Sequence, residues 1–168
     1  MQYLIVMLFI IVYSLFDLSL GYTTTSPFYT HWTFMFQHAS IIHLVMNSLA
    51  FIGMFRVMKS FINKYRLFLL IVLISFAASF LSECSLPTVG CSSMVYALIG
   101  LFFGGLFCGI IRLKEKKQFY IFCFSVVLMM TFSFFNPSSN FLVHFYSLLM
   151  GFVLSIFNVI INKEIQTV

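Results

Sequence analysis

Three adjacent side chains in the stretch PTVGCSSMVYALIG, residues 87–100, could act as nucleophiles: Cys91, Ser92 and Ser93. A thiol or hydroxyl attacks a carbonyl carbon efficiently only when a neighbouring base accepts its proton. Histidine has the pKa for that task near neutral pH, and His144 lies in the last apolar stretch of the chain. The residue types therefore indicate acyl transfer, provided that the fold brings these two stretches together.

Acyl transfer also needs hydrogen-bond donors for the negative charge that develops on the carbonyl oxygen. His43 and Asn47 have the i, i+4 spacing that places two side chains on one face of a helix. Backbone N–H groups at the start of the helix that follows Gly90 are free donors as well. We expect these groups to form an oxyanion hole, with Ser40 as the N-cap of the helix that carries His43.

The chain has few carboxylates that could assist the histidine. Its acidic residues are Asp17, Glu83, Glu115 and Glu164. Glu115 and Glu164 belong to the opposite end of the predicted bundle, and Asp17 and Glu83 have no spacing that ties them to His144. We therefore predict a Ser/His dyad without a carboxylate.

The composition predicts the kind of fold that must position these groups. The chain is 62% hydrophobic and 8% charged, whereas globular domains have about 25% charged residues. We predict an all-α membrane protein with a single domain over residues 1–168. Apolar stretches long enough for transmembrane helices cover residues 2–20, 39–57, 67–83, 91–111, 118–135 and 141–161.

All nine Lys and Arg residues fall on one side of this six-helix prediction. They lie between the second and third helices, between the fourth and fifth, and after the sixth. By the positive-inside rule this side is cytoplasmic, which places the N and C termini in the cytoplasm and the reactive groups near the outer surface. The net charge of +5 therefore reflects topology, and the pattern does not indicate nucleic-acid binding.

Small residues predict that the fourth and sixth helices pack closely together. The fourth carries a stripe of Ser93, Ala97, Gly100 and Gly104. The sixth carries a stripe of His144, Ser147, Gly151 and Ser155. Small residues allow membrane helices to approach closely, and if the two stripes face each other, Ser92 meets His144.

Three motifs, in this order along the chain, resemble those of the rhomboid intramembrane serine proteases: FQHASIIHLVMN, GCSSMVYALIG and HFYSLLMG. The resemblance covers essentially the whole chain, in the six-helix form of bacterial type. It implies that Ser92 is the nucleophile and His144 the base, and that His43, Asn47 and the backbone N–H of Ser92 stabilise the oxyanion. It also implies a supporting role for His38, although on an ideal helix His38 would point about 140° away from His43.

The resemblance further implies an activity and a location. Rhomboid proteases cleave transmembrane or membrane-associated protein substrates near the surface of the lipid bilayer, without a metal or cofactor. A multi-pass protein of the bacterial inner (cell) membrane is expected. The alternative is a catalytically silent rhomboid-like protein that binds membrane proteins. Silent relatives typically lack the serine or the histidine, and this chain has both.

Some positions depart from the family pattern. Ser93 and Ser147 stand where family members often have glycine, and the loop between the first two helices is shorter than is typical. We expect Cys84 and Cys91 to remain unpaired, because a bridge would tether the residue beside the nucleophile to a loop that we expect to move.

Overall fold

Helices make up most of the chain in the computed structural model, which describes residues 1–113, 115–157 and 166–167. The helices are α1 (Gln2–Leu15), α2 (Thr30–Thr33), α3 (Ile41–Met58), α4 (Lys64–Phe80), α5 (Ser92–Phe107), α6 (Lys116–Phe135) and α7 (Phe141–Ile156). Single 3-10 turns cover Leu18–Leu20 and Phe34–Phe36. The predicted all-α class is confirmed. Lys114, Lys163, Glu164 and residues 158–161 of the sixth predicted helix lie outside the described residues.

Polar side chains at the helix starts explain where several helices begin. Ser40 has extended backbone and its Oγ accepts a hydrogen bond of 3.2 Å from the N–H of His43, which confirms the predicted cap of α3. Asn63 caps α4 through the N–H of Tyr65, and Asn140 caps α7 through the N–H of Val143. These caps satisfy N–H groups that have no partner inside the helix.

Several helix ends differ from the sequence prediction. α1 ends at Leu15 rather than at residue 20, because Asp17 accepts a hydrogen bond from the N–H of Ser19 and starts a separate turn. α4 begins at Lys64 rather than at residue 67, because Asn63 provides the cap. α5 ends at Phe107 rather than at residue 111, and Gly109 beyond it has a φ of 69° that breaks the helix. The short helix α2 was not predicted.

α5 is the central helix of the bundle. Every residue from Ser93 to Phe102 is buried, and α5 packs most extensively against α7, with further contacts to α3 and α4. α6 is the opposite case, because only Val126 and Ser133 are buried along its length. The outer surface of the bundle is apolar, with Ile42 73% exposed and Phe135 75% exposed. Such a surface suits contact with lipid rather than with water.

Length and hydropathy give two clear membrane spans among the described residues. α3 has 18 residues with a mean hydropathy of 1.7, and α6 has 20 residues with a mean hydropathy of 1.8. α1, α5 and α7 are apolar but shorter. The number of six spans and the cytoplasmic position of both termini therefore stay predictions.

Backbone pairing joins loops at both ends of the bundle. At the end where α3, α5 and α7 begin, Tyr22 and Thr88 form an antiparallel bridge between the loop after α1 and the loop before α5. At the other end, β1 (Ile111–Arg112) pairs in parallel with β2 (Gln166–Thr167). Thr88, one partner in the first pairing, lies four residues before Ser92, so this bridge helps to position the start of α5.

Candidate active site

The structure brings Ser92 and His144 into hydrogen-bonding contact. Ser92 is the first residue of α5, and His144 lies in the first turn of α7. The distance between Ser92 Oγ and His144 Nε2 is 2.7 Å. A serine hydroxyl at this distance can pass its proton to a neutral imidazole as the oxygen attacks a carbonyl carbon. The geometry required of a nucleophile and its base is therefore present.

The close approach of α5 and α7 explains how two residues 52 positions apart meet. A side chain on Gly100 would overlap the carbonyl oxygen of Leu148, and one on Gly151 would overlap the carbonyl oxygen of Ala97. Near the far end of the contact, Ser155 Oγ donates a hydrogen bond of 3.0 Å to the carbonyl oxygen of Leu101. The predicted packing of the two small-residue stripes is confirmed.

Two further side chains hold His144, and sequence reasoning missed both. The ring of Tyr96 stacks on the imidazole with centroids 4.6 Å apart. Ser133 Oγ lies 2.7 Å from His144 Nδ1 and 2.7 Å from Ser139 Oγ. The i, i+4 spacing of Tyr96 from Ser92 could have revealed the first, since it places both on one face of α5. Ser133 gave only a weak signal, as a hydroxyl near the end of an otherwise apolar helix.

The turn that leads into α5 depends on Gly90. Its φ is 120°, a region that side-chain-bearing residues rarely adopt. Its N–H donates a hydrogen bond of 2.9 Å to the carbonyl oxygen of Phe34. A Cβ at this position would lie 2.7 Å from His43 Cε1 and 3.2 Å from Asn47 Nδ2. The turn before Ser92 is therefore packed directly against the two predicted oxyanion residues.

His43 and Asn47 both have donor groups available in this packing. The N–H of Ala39 donates to His43 Nδ1 over 3.4 Å, so in the neutral ring the proton is on Nε2. Asn47 Nδ2 is buried and has no hydrogen-bond partner among the described residues. Buried amide groups normally have partners, so a free donor beside the turn before Ser92 suits a site that receives charge only during a reaction.

His38 lies close to His43, contrary to the expectation from an ideal helix. α3 begins at Ile41, so His38 precedes the helix and the angle of about 140° does not apply. The two imidazole rings have centroids 5.3 Å apart, and Phe9 packs on His38 at 5.4 Å. Burial, with a smaller contribution from His43, lowers the pKa of His38 to about 3. His38 is therefore a neutral ring packed behind His43.

Geometry separates the three adjacent candidate nucleophiles. Cys91 is fully buried at the start of α5 and is unpaired, as are Cys84, Cys108 and Cys123. Ser93 is also fully buried, and its Oγ has no hydrogen-bond partner in the described part of the chain. Of the three, Ser92 is the residue whose side chain contacts His144.

A polar network ties the loops around the site together. Asn140 Nδ2 donates hydrogen bonds of 2.9 Å to Tyr22 Oη and 3.0 Å to Thr88 Oγ1. Because Asn140 also caps α7, the network joins the start of that helix to the loop that precedes α5. Ser92 follows Thr88 by four positions, and His144 follows Asn140 by four positions. The network therefore fixes the starts of α5 and α7 relative to each other.

The acidic residues of this end of the bundle have other surroundings. Asp17 is bound to Ser19, whose hydroxyl and backbone N–H hold the pKa of its carboxyl below the usual range. Glu83 is exposed in the loop after α4. The second nitrogen of His144 is bound to the hydroxyl of Ser133 rather than to a carboxylate. Within the described ranges, no three His, Cys, Asp or Glu side chains come together as metal ligands.

A family model matches most of the chain. The model is described as the Rhomboid domain and covers residues 25–160. This range contains Ser92 and His144, together with His43, Asn47 and His38. No curated protein matches the chain. The resemblance that the three sequence motifs indicated is thus confirmed at the level of the family.

Proposed function

Because the chain belongs to the rhomboid family of integral membrane proteins, we propose that it is an intramembrane serine endopeptidase. Its substrates are transmembrane or membrane-associated proteins, which it cuts near the outer face of the bilayer. The observation that carries this proposal is the distance of 2.7 Å between Ser92 Oγ and His144 Nε2. No metal or cofactor takes part in the proposed reaction.

The proposed reaction begins with the Ser92 hydroxyl. Its proton passes to His144 Nε2 while Oγ forms a bond to the carbonyl carbon of the scissile peptide. The tetrahedral intermediate then collapses, and the same proton passes from His144 to the departing amine. Water next gives a proton to His144 and attacks the acyl-enzyme, which releases the new carboxyl end and restores Ser92.

The oxyanion is stabilised in this proposal by three donors. They are the side chains of His43 and Asn47 and the backbone N–H of Ser92. Support comes from the packing of Gly90 against both side chains, from the unpartnered Nδ2 of Asn47, and from the tautomer of His43, which leaves Nε2–H as a donor. Donors arranged before the reaction begins stabilise the developing charge without reorganisation.

The proposed membrane orientation has six spans, with both termini in the cytoplasm. The Lys and Arg residues of the described chain support it, because Arg56, Lys64, Arg66, Arg112 and Lys116 all lie at the end opposite Ser92. In this orientation Ser92 and His144 lie near the outer surface, where water can reach them. A bacterial cell membrane is the proposed location.

The test is incubation of the purified protein, in liposomes, with a panel of single-span membrane proteins, followed by mass analysis of the products. We expect a cut near the outer end of the substrate's span in wild type and none in Ser92→Ala. A serine-directed fluorophosphonate, applied in parallel, should label Ser92. If wild type neither cuts nor takes the label while retaining its fold, the chain is catalytically silent, and the proposal is wrong.

A further inference from the structure

We propose that Ser133, on α6, is a positioning residue that holds His144 in the tautomer and orientation needed to activate Ser92. This inference rests on the proposed function, because it concerns the base of that reaction. It adds a fourth helix, α6, to a site that the sequence motifs attribute to α3, α5 and α7. The hydrogen-bond partners of Ser133 are His144 and Ser139, so its effect on Ser92 would pass through His144.

The contacts form an unbroken chain of hydrogen bonds. Ser92 Oγ is 2.7 Å from His144 Nε2, and His144 Nδ1 is 2.7 Å from Ser133 Oγ. Ser133 Oγ is in turn 2.7 Å from Ser139 Oγ, in the loop between α6 and α7. Both ring nitrogens of the predicted base are therefore engaged, one by the nucleophile and the other by Ser133.

Only one direction of proton donation along this row of hydrogen bonds suits catalysis. Ser92 must donate its proton to Nε2, so Nε2 has to be unprotonated and the ring proton must sit on Nδ1. The Nδ1–H group then donates to Ser133 Oγ, and the Ser133 hydroxyl donates onward to Ser139 Oγ. A hydroxyl can both accept and donate, so each group has a partner in this arrangement. The opposite tautomer would place a proton on Nε2 and block the attack.

The position of Ser133 on α6 is unusual for that helix. Val126 and Ser133 are its buried residues, and Ser133 is only 3% exposed. Neighbouring Phe132 and Phe134 are 70% and 63% exposed on the apolar surface. A buried hydroxyl in a membrane protein gains stability from a hydrogen-bond partner, because hydrocarbon provides none. Here that partner is the predicted base, which links an otherwise weakly packed helix to the site.

A serine differs from the carboxylate of a triad in what it can contribute. Its hydroxyl oxygen accepts a hydrogen bond from the Nδ1–H group of His144 and so orients the ring. It carries no charge, however, that could stabilise the imidazolium that forms during the reaction. Its removal should therefore lower kcat less than the loss of about 10⁴-fold that a wrong tautomer causes in a carboxylate-supported triad. We expect a loss of about 10- to 100-fold for Ser133→Ala.

The experiment compares five proteins in liposomes: wild type, Ser133→Ala, Ser133→Thr, Ser139→Ala and Ser125→Ala. Ser125 is the matched control, because it lies on the same helix, is exposed, and bonds only to the carbonyl oxygen of Ile121 among its described contacts. We measure kcat and KM for a single-span substrate, the rate of fluorophosphonate labelling, and the thermal unfolding midpoint. Nitrogen-15 spectra of histidine-labelled protein report the tautomer of His144, whose signals are identified by their loss in His144→Ala.

The positioning role predicts a specific combination of results. Ser133→Ala should lower kcat and the labelling rate with KM within about 3-fold of wild type, and should convert the His144 signals from the Nδ1–H tautomer to a mixture. Ser133→Thr, which keeps the hydroxyl, should recover most of the rate, and Ser125→Ala should match wild type. Ser139→Ala should have a smaller effect, since it removes only the second hydrogen bond.

Other results would overturn the inference. Unchanged His144 signals in Ser133→Ala would show that Ser133 does not set the tautomer. A loss of rate that is explained by a lower unfolding midpoint would show that Ser133 only stabilises the fold. The spectra do not depend on turnover, so they also separate this inference from the proposed function. A wild type without cleavage or labelling would refute the proposed function, whereas a fully active Ser133→Ala would refute the positioning role alone.

Discussion

The backbone of Gly90 lies directly against the imidazole of His43. A methyl group on Gly90 would be 2.7 Å from His43 Cε1 and 3.0 Å from its Nε2, closer than van der Waals contact allows. This contact joins the turn before Ser92 to the helix that carries the predicted oxyanion donors. Any side chain at position 90 must therefore displace the turn, His43, or both.

The first prediction concerns this contact. Gly90→Ala should lower kcat strongly and destabilise the fold by about 1–3 kcal/mol, because alanine would have to adopt a φ that strains it and would press on His43. Gly53→Ala is the control, since a Cβ there has no atom within 4 Å and alanine favours a helix by about 1 kcal/mol over glycine. Cleavage rate and the unfolding midpoint are measured for both. Equal behaviour of the two variants would contradict the contact.

The second prediction identifies the nucleophile. Ser92→Ala and His144→Ala should abolish cleavage and fluorophosphonate labelling, because they remove the proposed nucleophile and the proposed base that activates it. Cys91→Ala and Ser93→Ala should still be labelled, since the hydroxyl that is hydrogen-bonded to His144 is that of Ser92. Mass spectrometry of the labelled peptide locates the adduct. An adduct on Ser93, or labelling that survives in Ser92→Ala, would show that Ser92 is not the nucleophile.

The third prediction tests the oxyanion donors. Asn47→Ala should reduce kcat by about 10²- to 10³-fold, which corresponds to about 2.7–4 kcal/mol for one lost donor, with little change in KM. Asn63→Ala is a matched control, because it removes a helix cap at the opposite end of the bundle and should lower stability by about 1 kcal/mol without affecting kcat. Steady-state kinetics and unfolding of both variants distinguish the two effects. A normal kcat in Asn47→Ala would exclude it as a donor.

The fourth prediction concerns carboxylates. Asp17→Asn and Glu83→Gln should each keep most of the activity, because Asp17 is engaged with Ser19 and Glu83 is exposed. In addition, His144 Nδ1, the nitrogen that faces away from Ser92, is already hydrogen-bonded to Ser133. The check is kcat over KM for the same substrate. A loss of about 10²-fold or more in either variant would indicate an acid that assists the histidine.

The fifth prediction concerns topology. In a variant without native cysteines, single cysteines introduced at Lys64 and Lys116 should react with a membrane-impermeant thiol reagent only from the cytoplasmic side. A cysteine at Pro137 should react only from outside, because Pro137 lies in the loop beside the site. Labelling of intact cells and of inverted vesicles provides the measurement. The same side for Lys116 and Pro137 would refute six spans.

The sequence by itself determined the helical class and the pairing of α5 with α7. These features follow from local composition and spacing: apolar stretches, small residues at helical intervals, and Ser40 three positions before His43. The motif order was also sufficient to indicate the family. Such signals are readable because each depends on residues that are close along the chain, or on a packing rule that needs only one face of each helix.

The tertiary structure decided the features that depend on contacts between distant segments. Ser133 meets His144 because α6 turns one buried hydroxyl inward, and no periodicity in its sequence marks that residue. His38 lies against His43 because residues 37–40 are not helical, which a helical projection could not anticipate. The packing of whole helices decides which hydroxyl group meets each nitrogen of His144. That packing depends on residues throughout the fold, so no single motif predicts it.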